Sequence, residues 1–238
     1  MNRIAAILPA AGLGTRMGAE KPKQFLELDG LPIWILSLRR IASCPLITDI
    51  FLATRGEGLE KIEARIREEK FSQSVRVVKG GDSRQESVAQ ALRHVAADTE
   101  LILVHDAVRP FVTVEQIARV ITEARKNRAA ILAIPAMDTV KEVKRASLPE
   151  DVALITVTIP RERIVLAQTP QVFEAALLKD AFARAESDGV SASDEAGLVE
   201  RLGIDVFVVH GSERNIKITK PADMELARFY LQSEQKKA

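Results

Sequence analysis

Five short apolar runs, at residues 3–8, 49–53, 75–78, 101–105 and 130–135, are separated by stretches whose apolar residues recur at helical spacing. Runs of about four to eight such residues read as strands, and their alternation with helices argues for a mostly parallel sheet covered on both faces. The helical stretches are 32–42, 59–68, 83–96 and 113–124. Two begin with capping-box pairs, Ser83 with Glu86 and Thr113 with Gln116, in which each side chain satisfies a free amide of the other's turn. The frame is α/β and doubly wound.

The pattern breaks at residues 139–158. Two segments with β propensity, 140–145 and 152–158, flank a polar turn at Ser147-Leu148-Pro149-Glu150 with no helix behind them. This predicts a projecting β-hairpin arm at about 138–160. An isolated hairpin is marginal in water, so the arm is expected to pack against a partner, and a homodimer is the expected assembly. The α/β pattern then resumes with helices at 174–185 and 194–202, a strand at 205–209 and a final helix after Pro221, a residue favoured at the first helical position. Residues 232–238 read as frayed. One domain over residues 1–238 accounts for the whole pattern.

Composition narrows the function. With 47% hydrophobic and 28% charged residues the chain can bury a sizeable core. A formal net charge of +1 provides no global field for nucleic acid or an anionic membrane, so neither partner is expected and any anion must be held by a local arrangement. The apolar run at residues 4–8 is too short for a signal-peptide core, and no later run approaches the ~20 residues of a membrane span. A soluble, cytoplasmic protein is expected. The single cysteine, Cys44, excludes an intramolecular disulfide, fits a reducing compartment and reads as a small buried hydrophobe. His94, His105 and His210 lack metal-ligand spacing and read as structural or surface residues.

The first predicted strand feeds directly into Pro9-Ala10-Ala11-Gly12-Leu13-Gly14-Thr15-Arg16-Met17-Gly18. Small residues at the C-terminal end of a strand let backbone amides approach a ligand and form an anion-binding nest, at the edge of an open sheet where ligands bind. The glycines at 12, 14 and 18 do not fit the dinucleotide spacing, which argues against a dehydrogenase, and Thr15 stands where a Walker loop has its lysine. Arg16 lies inside the loop and Lys23 follows in Lys21-Pro22-Lys23-Gln24-Phe25, so two cations can reach phosphates held there.

These residues resemble the signature of the 2-C-methyl-D-erythritol 4-phosphate cytidylyltransferase family. Further matches follow in order along nearly the whole chain: Gly80-Gly81-Asp82-Ser83-Arg84-Gln85-Glu86-Ser87-Val88, His105-Asp106-Ala107-Val108-Arg109-Pro110, Asp138-Thr139-Val140-Lys141, Thr158-Ile159-Pro160-Arg161, Gln168-Thr169-Pro170-Gln171, Ser193-Asp194-Glu195-Ala196 and Asn215-Ile216-Lys217-Ile218-Thr219. The N-terminal loop is shared widely among nucleotidyltransferases, whereas the ordered set is specific to cytidylyltransferases of polyol phosphates. The resemblance implies a Rossmann-like fold of the nucleotide-diphospho-sugar transferase type. It also implies transfer of CMP from CTP to methylerythritol phosphate, with release of pyrophosphate, in the non-mevalonate isoprenoid pathway.

The same resemblance implies residue roles. Arg16, Lys23, Lys217 and Arg161 are the catalytic candidates, stabilising charge at the reacting phosphorus or fixing the attacking phosphate. CTP is expected against Pro9, Ala10, Ala11, Gly12, Gly14, Thr15, Gly81, Asp82, Ser87 and Asp106. The polyol phosphate is expected against Asp106, Arg109, Thr139, Arg161 and Thr169, with Arg161 reaching the other subunit's site. Mg2+ is the expected cofactor, because it neutralises triphosphate charge, and Asp106 is its candidate protein ligand. Asp194 and Glu195 are expected to start a helix, where the dipole favours negative charge. The rival readings are a ribitol 5-phosphate cytidylyltransferase and a non-catalytic nucleotide-binding regulatory module.

Overall fold

In this computed structural model, which describes residues 3–11, 25–55, 59–144 and 152–236, the first apolar run forms β1 (Arg3–Pro9). A short hairpin, β2 (Glu27–Leu28) and β3 (Leu31–Pro32), leads into α1 (Ile33–Ala42) and β4 (Asp49–Thr54). Then come α2 (Leu59–Glu69), β5 (Ser74–Lys79), α3 (Arg84–Leu92), β6 (Thr99–Val104), α4 (Val114–Asn127) and β7 (Ala129–Pro135). Two arm strands follow, β8 (Val140–Lys144) and β9 (Leu154–Ile159). The chain ends with β10 (Val165–Glu174), α5 (Ala175–Ser187), α6 (Glu195–Glu200), β11 (Phe207–His210) and α7 (Pro221–Gln235).

Seven strands form one sheet in the order β11-β7-β10-β6-β1-β4-β5. Neighbours run parallel except β10, which is antiparallel to both β6 and β7. Side chains alternate across a strand, so one continuous apolar run supplies two cores. Ile4, Ala6 and Leu8 pack with Trp34 and Leu38 of α1 and Ile117 and Val120 of α4. Ala5 and Ile7 face the other way, into a cluster with Val88 of α3 and Leu178 of α5. The expected doubly wound, mostly parallel sheet is what these residues build.

The elements differ from the sequence pattern where hydrogen bonding overrides periodicity. The Thr113–Gln116 capping box forms in both directions, at 3.2 and 3.1 Å. At α3 only half of the expected box forms: Ser83 Oγ accepts from Glu86 N, while the Glu86 carboxylate accepts from Asp82 N instead. That helix stops at Leu92, short of residue 96, because His94 N and Val95 N bond carbonyls three residues back and tighten the chain into a turn. In contrast α7 runs to Gln235 through the segment expected to fray. An ion pair from Arg40 to Glu234 and a bond from Gln235 to Asp29 hold it to the body.

The largest departure is β10, which the sequence pattern reads as no strand at all. Its middle, Gln168-Thr169-Pro170-Gln171, is polar and contains a proline, which argues against a central strand. The Thr169–Pro170 peptide is cis, and the register against β7 shifts between Ala167 and Gln171. Gln168, Thr169 and Gln171 are nevertheless buried. The arm strands pair antiparallel from Val140 opposite Ile159 to Lys144 opposite Leu154, and residues 145–151 between them lie outside the described set. Among the described residues no helix is long and apolar enough to cross a membrane.

Candidate active site

The C-terminal ends of β1, β4 and β5 are bound edge to edge. Ala10 N donates to Ala53 O at 2.7 Å and Gly80 N to Thr54 O at 2.7 Å, while Arg55 Nε holds Ala11 O at 2.9 Å. A Cβ at Gly80 would lie 2.8 Å from the Ala11 side chain and 2.9 Å from Ser87 Oγ, so only glycine lets the two turns touch. Gly81 is as tightly placed, with a Cβ there 2.3 Å from Glu86 Cβ. Ser87 is buried; its Oγ accepts from Gly81 N at 3.2 Å and donates to Ser83 O at 2.8 Å. Ser87 therefore shapes the glycine turn, and Asp82 beside it is fully exposed, with Oδ1 4.0 Å from Arg55 Nη2. Gly12, Gly14, Thr15, Arg16 and Lys23 lie outside the described residues.

Beyond β6 a second group gathers around Asp106, which is 5% exposed. Its Oδ1 accepts from Arg84 Nε at 3.0 Å; its Oδ2 faces Arg109 Nε at 3.3 Å and Lys217 Nζ at 3.0 Å. Burial pushes the Asp106 carboxyl up, but Arg84, Lys217 and Arg109 outweigh it and hold the group far below the usual carboxylate range. Asp106 is thus a permanent anion that organises three cations, not a proton donor. Arg84 reaches further: its two terminal nitrogens form a fork on Glu195 at 2.7 and 2.9 Å. Burial lowers the Arg109 guanidinium, against the pull of Asp106.

The backbone beneath this group is tied down by buried polar side chains. Asp106 N donates to Thr169 Oγ1 at 3.0 Å, and Thr169 Oγ1 meets His105 Nδ1 at 3.1 Å. His105 Nε2 lies 3.0 Å from Arg109 O, a pure acceptor, which fixes the proton on Nε2 and makes Nδ1 the acceptor of the Thr169 hydroxyl. Burial lowers the His105 pKa to about 4, so the ring is neutral near pH 7. Asn215 Nδ2 donates to Thr169 O at 2.9 Å, and Asn215 O accepts from Arg109 Nη1 at 2.8 Å, which anchors the segment bearing Lys217. The polar residues of β10 are buried because they join these loops.

Asp106, Arg109, Thr169 and Lys217 are therefore brought together, next to the turn bearing Gly81, Asp82 and Ser87 and the end of β1 at Pro9, Ala10 and Ala11. Thr139 and Arg161 are not. Among the described residues neither bonds to Asp106, Arg109 or Lys217. Thr139 is exposed ahead of β8, and Arg161 is exposed after β9 with Nη1 donating to Met137 O at 2.6 Å. The expected helix-starting role fits Asp194, whose Oδ1 caps α6 by accepting from Gly197 N at 3.1 Å, and Glu195, the acidic residue of its first turn; Glu195 is also 1% exposed and bound to Arg84. Leu198 and Val199, three and four residues on, share its buried face, a spacing that marks Glu195 as inward. Arg84 carries no such signal.

Magnesium does not fit Asp106. Both carboxylate oxygens already face cationic donors, and a divalent ion there would sit against three positive charges. The described residues contain no group of three His, Cys, Asp or Glu that could hold a metal. The residues present around Asp106 fit a charge organiser in place of a metal ligand.

The family model described as IspD, 2-C-methyl-D-erythritol 4-phosphate cytidylyltransferase, matches residues 4–233. The chain is similar to a protein of that name from Acidobacterium capsulatum, 52% identical over 235 residues with 96% of this chain and 97% of the other covered. It is 48% identical to one from Solibacter usitatus, over 98% of this chain and 97% of the other. Its fold is similar to the crystal structure of 4-diphosphocytidyl-2C-methyl-D-erythritol synthase from Anaerococcus prevotii, with a TM-score of 0.83 at 31% identity over 97% and 99% of the two chains. A family model that matches residues 4–233 and a relative 52% identical over 96% of the chain make this chain a member of the 2-C-methyl-D-erythritol 4-phosphate cytidylyltransferase family.

Proposed function

We propose that the chain transfers CMP from CTP to 2-C-methyl-D-erythritol 4-phosphate, giving 4-diphosphocytidyl-2-C-methyl-D-erythritol and pyrophosphate, in isoprenoid precursor synthesis. A phosphate oxygen of the polyol phosphate attacks the α-phosphorus of CTP; the new P–O bond forms as the bond to the β-phosphate breaks, and pyrophosphate leaves. The nucleophile is already an anion, so the protein contributes position and positive charge. The observation that carries the reading is the grouping of Arg84, Arg109 and Lys217 around the ionised Asp106, beside the Gly80-Gly81 turn. Three cations against the two carboxylates of Asp106 and Glu195 leave a surplus of positive charge for a phosphate monoester.

In this reading CTP lies along Pro9–Ala11 and the glycine turn; Gly12, Gly14 and Thr15 are read as further CTP-binding residues, and Arg16 and Lys23 as stabilising charge at the reacting phosphorus. Lys217 and Arg109 take the polyol phosphate, and Thr169 holds the Asp106 backbone. Bound Mg2+ would supply charge neutralisation on the triphosphate.

The arm is read as a homodimer contact. Its support is the exposed apolar surface of Val143, Leu154, Ile155 and Val157, continued at its base by Val165 and Leu166. Arg161, set apart from the Asp106 group within one chain, and Thr139 are read as completing the polyol site of the partner subunit. The chain is read as a cytoplasmic protein.

The test is pyrophosphate release from each of the four nucleoside triphosphates, with methylerythritol phosphate, with ribitol 5-phosphate and with neither. Release with CTP and methylerythritol phosphate alone is expected. Equal release with ribitol phosphate, or with any purine triphosphate, would overturn the assignment.

A further inference from the structure

We propose that Arg84, bridging Glu195 and Asp106, is a positioning residue that fixes the Asp106 carboxylate so that Lys217 and Arg109 remain available to the polyol phosphate. The inference rests on the functional reading above. It assigns a role in that site to two residues, Arg84 and Glu195, that need touch neither substrate.

The geometry is a chain of anchors. On β10, Gln171 Nε2 donates to Asp194 Oδ2 at 2.8 Å, and Gln171 Oε1 accepts from Ala196 N at 3.1 Å. These two bonds clamp the residues on either side of Glu195, so its side chain enters the interior from a fixed backbone. Glu195 then grips both terminal nitrogens of Arg84. A guanidinium held by its fork cannot rotate, and its remaining Nε–H points at Asp106 Oδ1. Asp106 Oδ2 is left to Lys217 and Arg109.

Stability alone is a weak reason to keep such an arrangement. A buried ion pair must recover the desolvation of both charges, and apolar residues of similar volume often serve the fold as well or better. Function supplies a reason. Without Arg84, Asp106 would be free to turn about its terminal bond and present both oxygens to Lys217 and Arg109, drawing those cations away from an incoming dianion. Arg84 also starts α3, directly after the Ser83 cap of the glycine turn, so it links the nucleotide side of the site to the polyol side.

The experiment compares wild type, Arg84→Met and the double variant Arg84→Met/Glu195→Leu, measuring KM for methylerythritol phosphate, KM for CTP, turnover and urea unfolding. Arg84→Met leaves Glu195 buried without its partner and removes the positive surplus. The double variant removes one charge of each sign, so it keeps the surplus and relieves the unpaired carboxylate while still lacking the grip on Asp106 Oδ1. Loss of an orienting partner is felt on the scale of 10–100-fold. KM for methylerythritol phosphate should therefore rise roughly ten-fold or more in the double variant, well beyond any change in KM for CTP, while its unfolding midpoint returns toward wild type. Return of that KM to the wild-type value along with stability would mean that Arg84 acts through charge or fold alone, and would overturn the inference. If Arg84→Met does not fold, the double variant carries the test. Wild-type protein that releases no pyrophosphate from this substrate pair sinks the functional reading and this inference with it; active wild type with an unchanged double-variant KM sinks the inference alone.

Discussion

Mild acid should weaken this fold through one interior side chain, His105. The ring has no exposed surface, and it is built into the site as a neutral group between the Thr169 hydroxyl and Arg109 O. Burial lowers its pKa from 6.5 to about 4. As pH falls, an unfolded chain takes up this proton near 6.5, whereas the folded chain resists until about 4, so protonation increasingly favours unfolding across that window. The stabilisation is whole above pH 6.5 and has gone by about pH 4, a loss of about 3 kcal/mol, of which about 2 kcal/mol is spent by about pH 5. Urea unfolding can be followed through Trp34, the single tryptophan, which is buried on α1. Wild type and His105→Gln would be measured at fixed protein concentration from about pH 7.5 to about pH 5, a range in which ordinary carboxylates barely titrate. Glutamine can still donate to Arg109 O but has no proton to gain. The variant should start less stable and lose about 2 kcal/mol less than wild type over the range. Parallel pH curves for the two proteins would refute the reasoning.

Lys217→Ala should lower turnover by about 10²–10³ with the unfolding midpoint little changed, since the lysine is partly exposed; near-normal pyrophosphate release would remove it from the chemistry. Mixing an Arg161→Ala chain with a Lys23→Ala chain should restore part of the activity that each lacks, provided subunits exchange, and sedimentation should find a dimer. No recovery after confirmed exchange argues against a shared site. Gly80→Ala should raise KM for CTP, because the added carbon meets Ala11 at 2.8 Å and pushes the two turns apart; an unchanged KM would show that the turns are free to give.

The sheet was largely legible because buried parallel strands write themselves as apolar runs, and all five such runs became strands. What pattern could not show was β10, whose centre is polar. Its Gln168, Thr169 and Gln171 are satisfied by groups distant in the chain, on the loop before Lys217, beside Asp106 and at α6. Periodicity reports a residue's affinity for water, not the partners that relieve it of water. The candidate site divides in the same way. Asp106, Arg109, Thr169 and Lys217 could be named from their motifs, and helical spacing to Leu198 and Val199 marks the inward face of Glu195, but the reach of Arg84 to it exists only after folding. The three cations around Asp106, which do not fit a metal there, were hidden for a related reason: a carboxylate's chemistry depends on the charges packed around it.

The reversed direction of β10 has a further consequence. Val165, where β10 begins, sits opposite Pro135, where β7 ends, so the excursion that builds the arm leaves and re-enters the sheet at a single point on its ligand edge. Residues can be added to or removed from the arm's outer end without shifting any strand register. A tilt at its root is another matter, because Gln168 and Thr169 follow almost at once. Whatever grips the arm from outside holds a short lever whose inner end is the floor beneath Asp106.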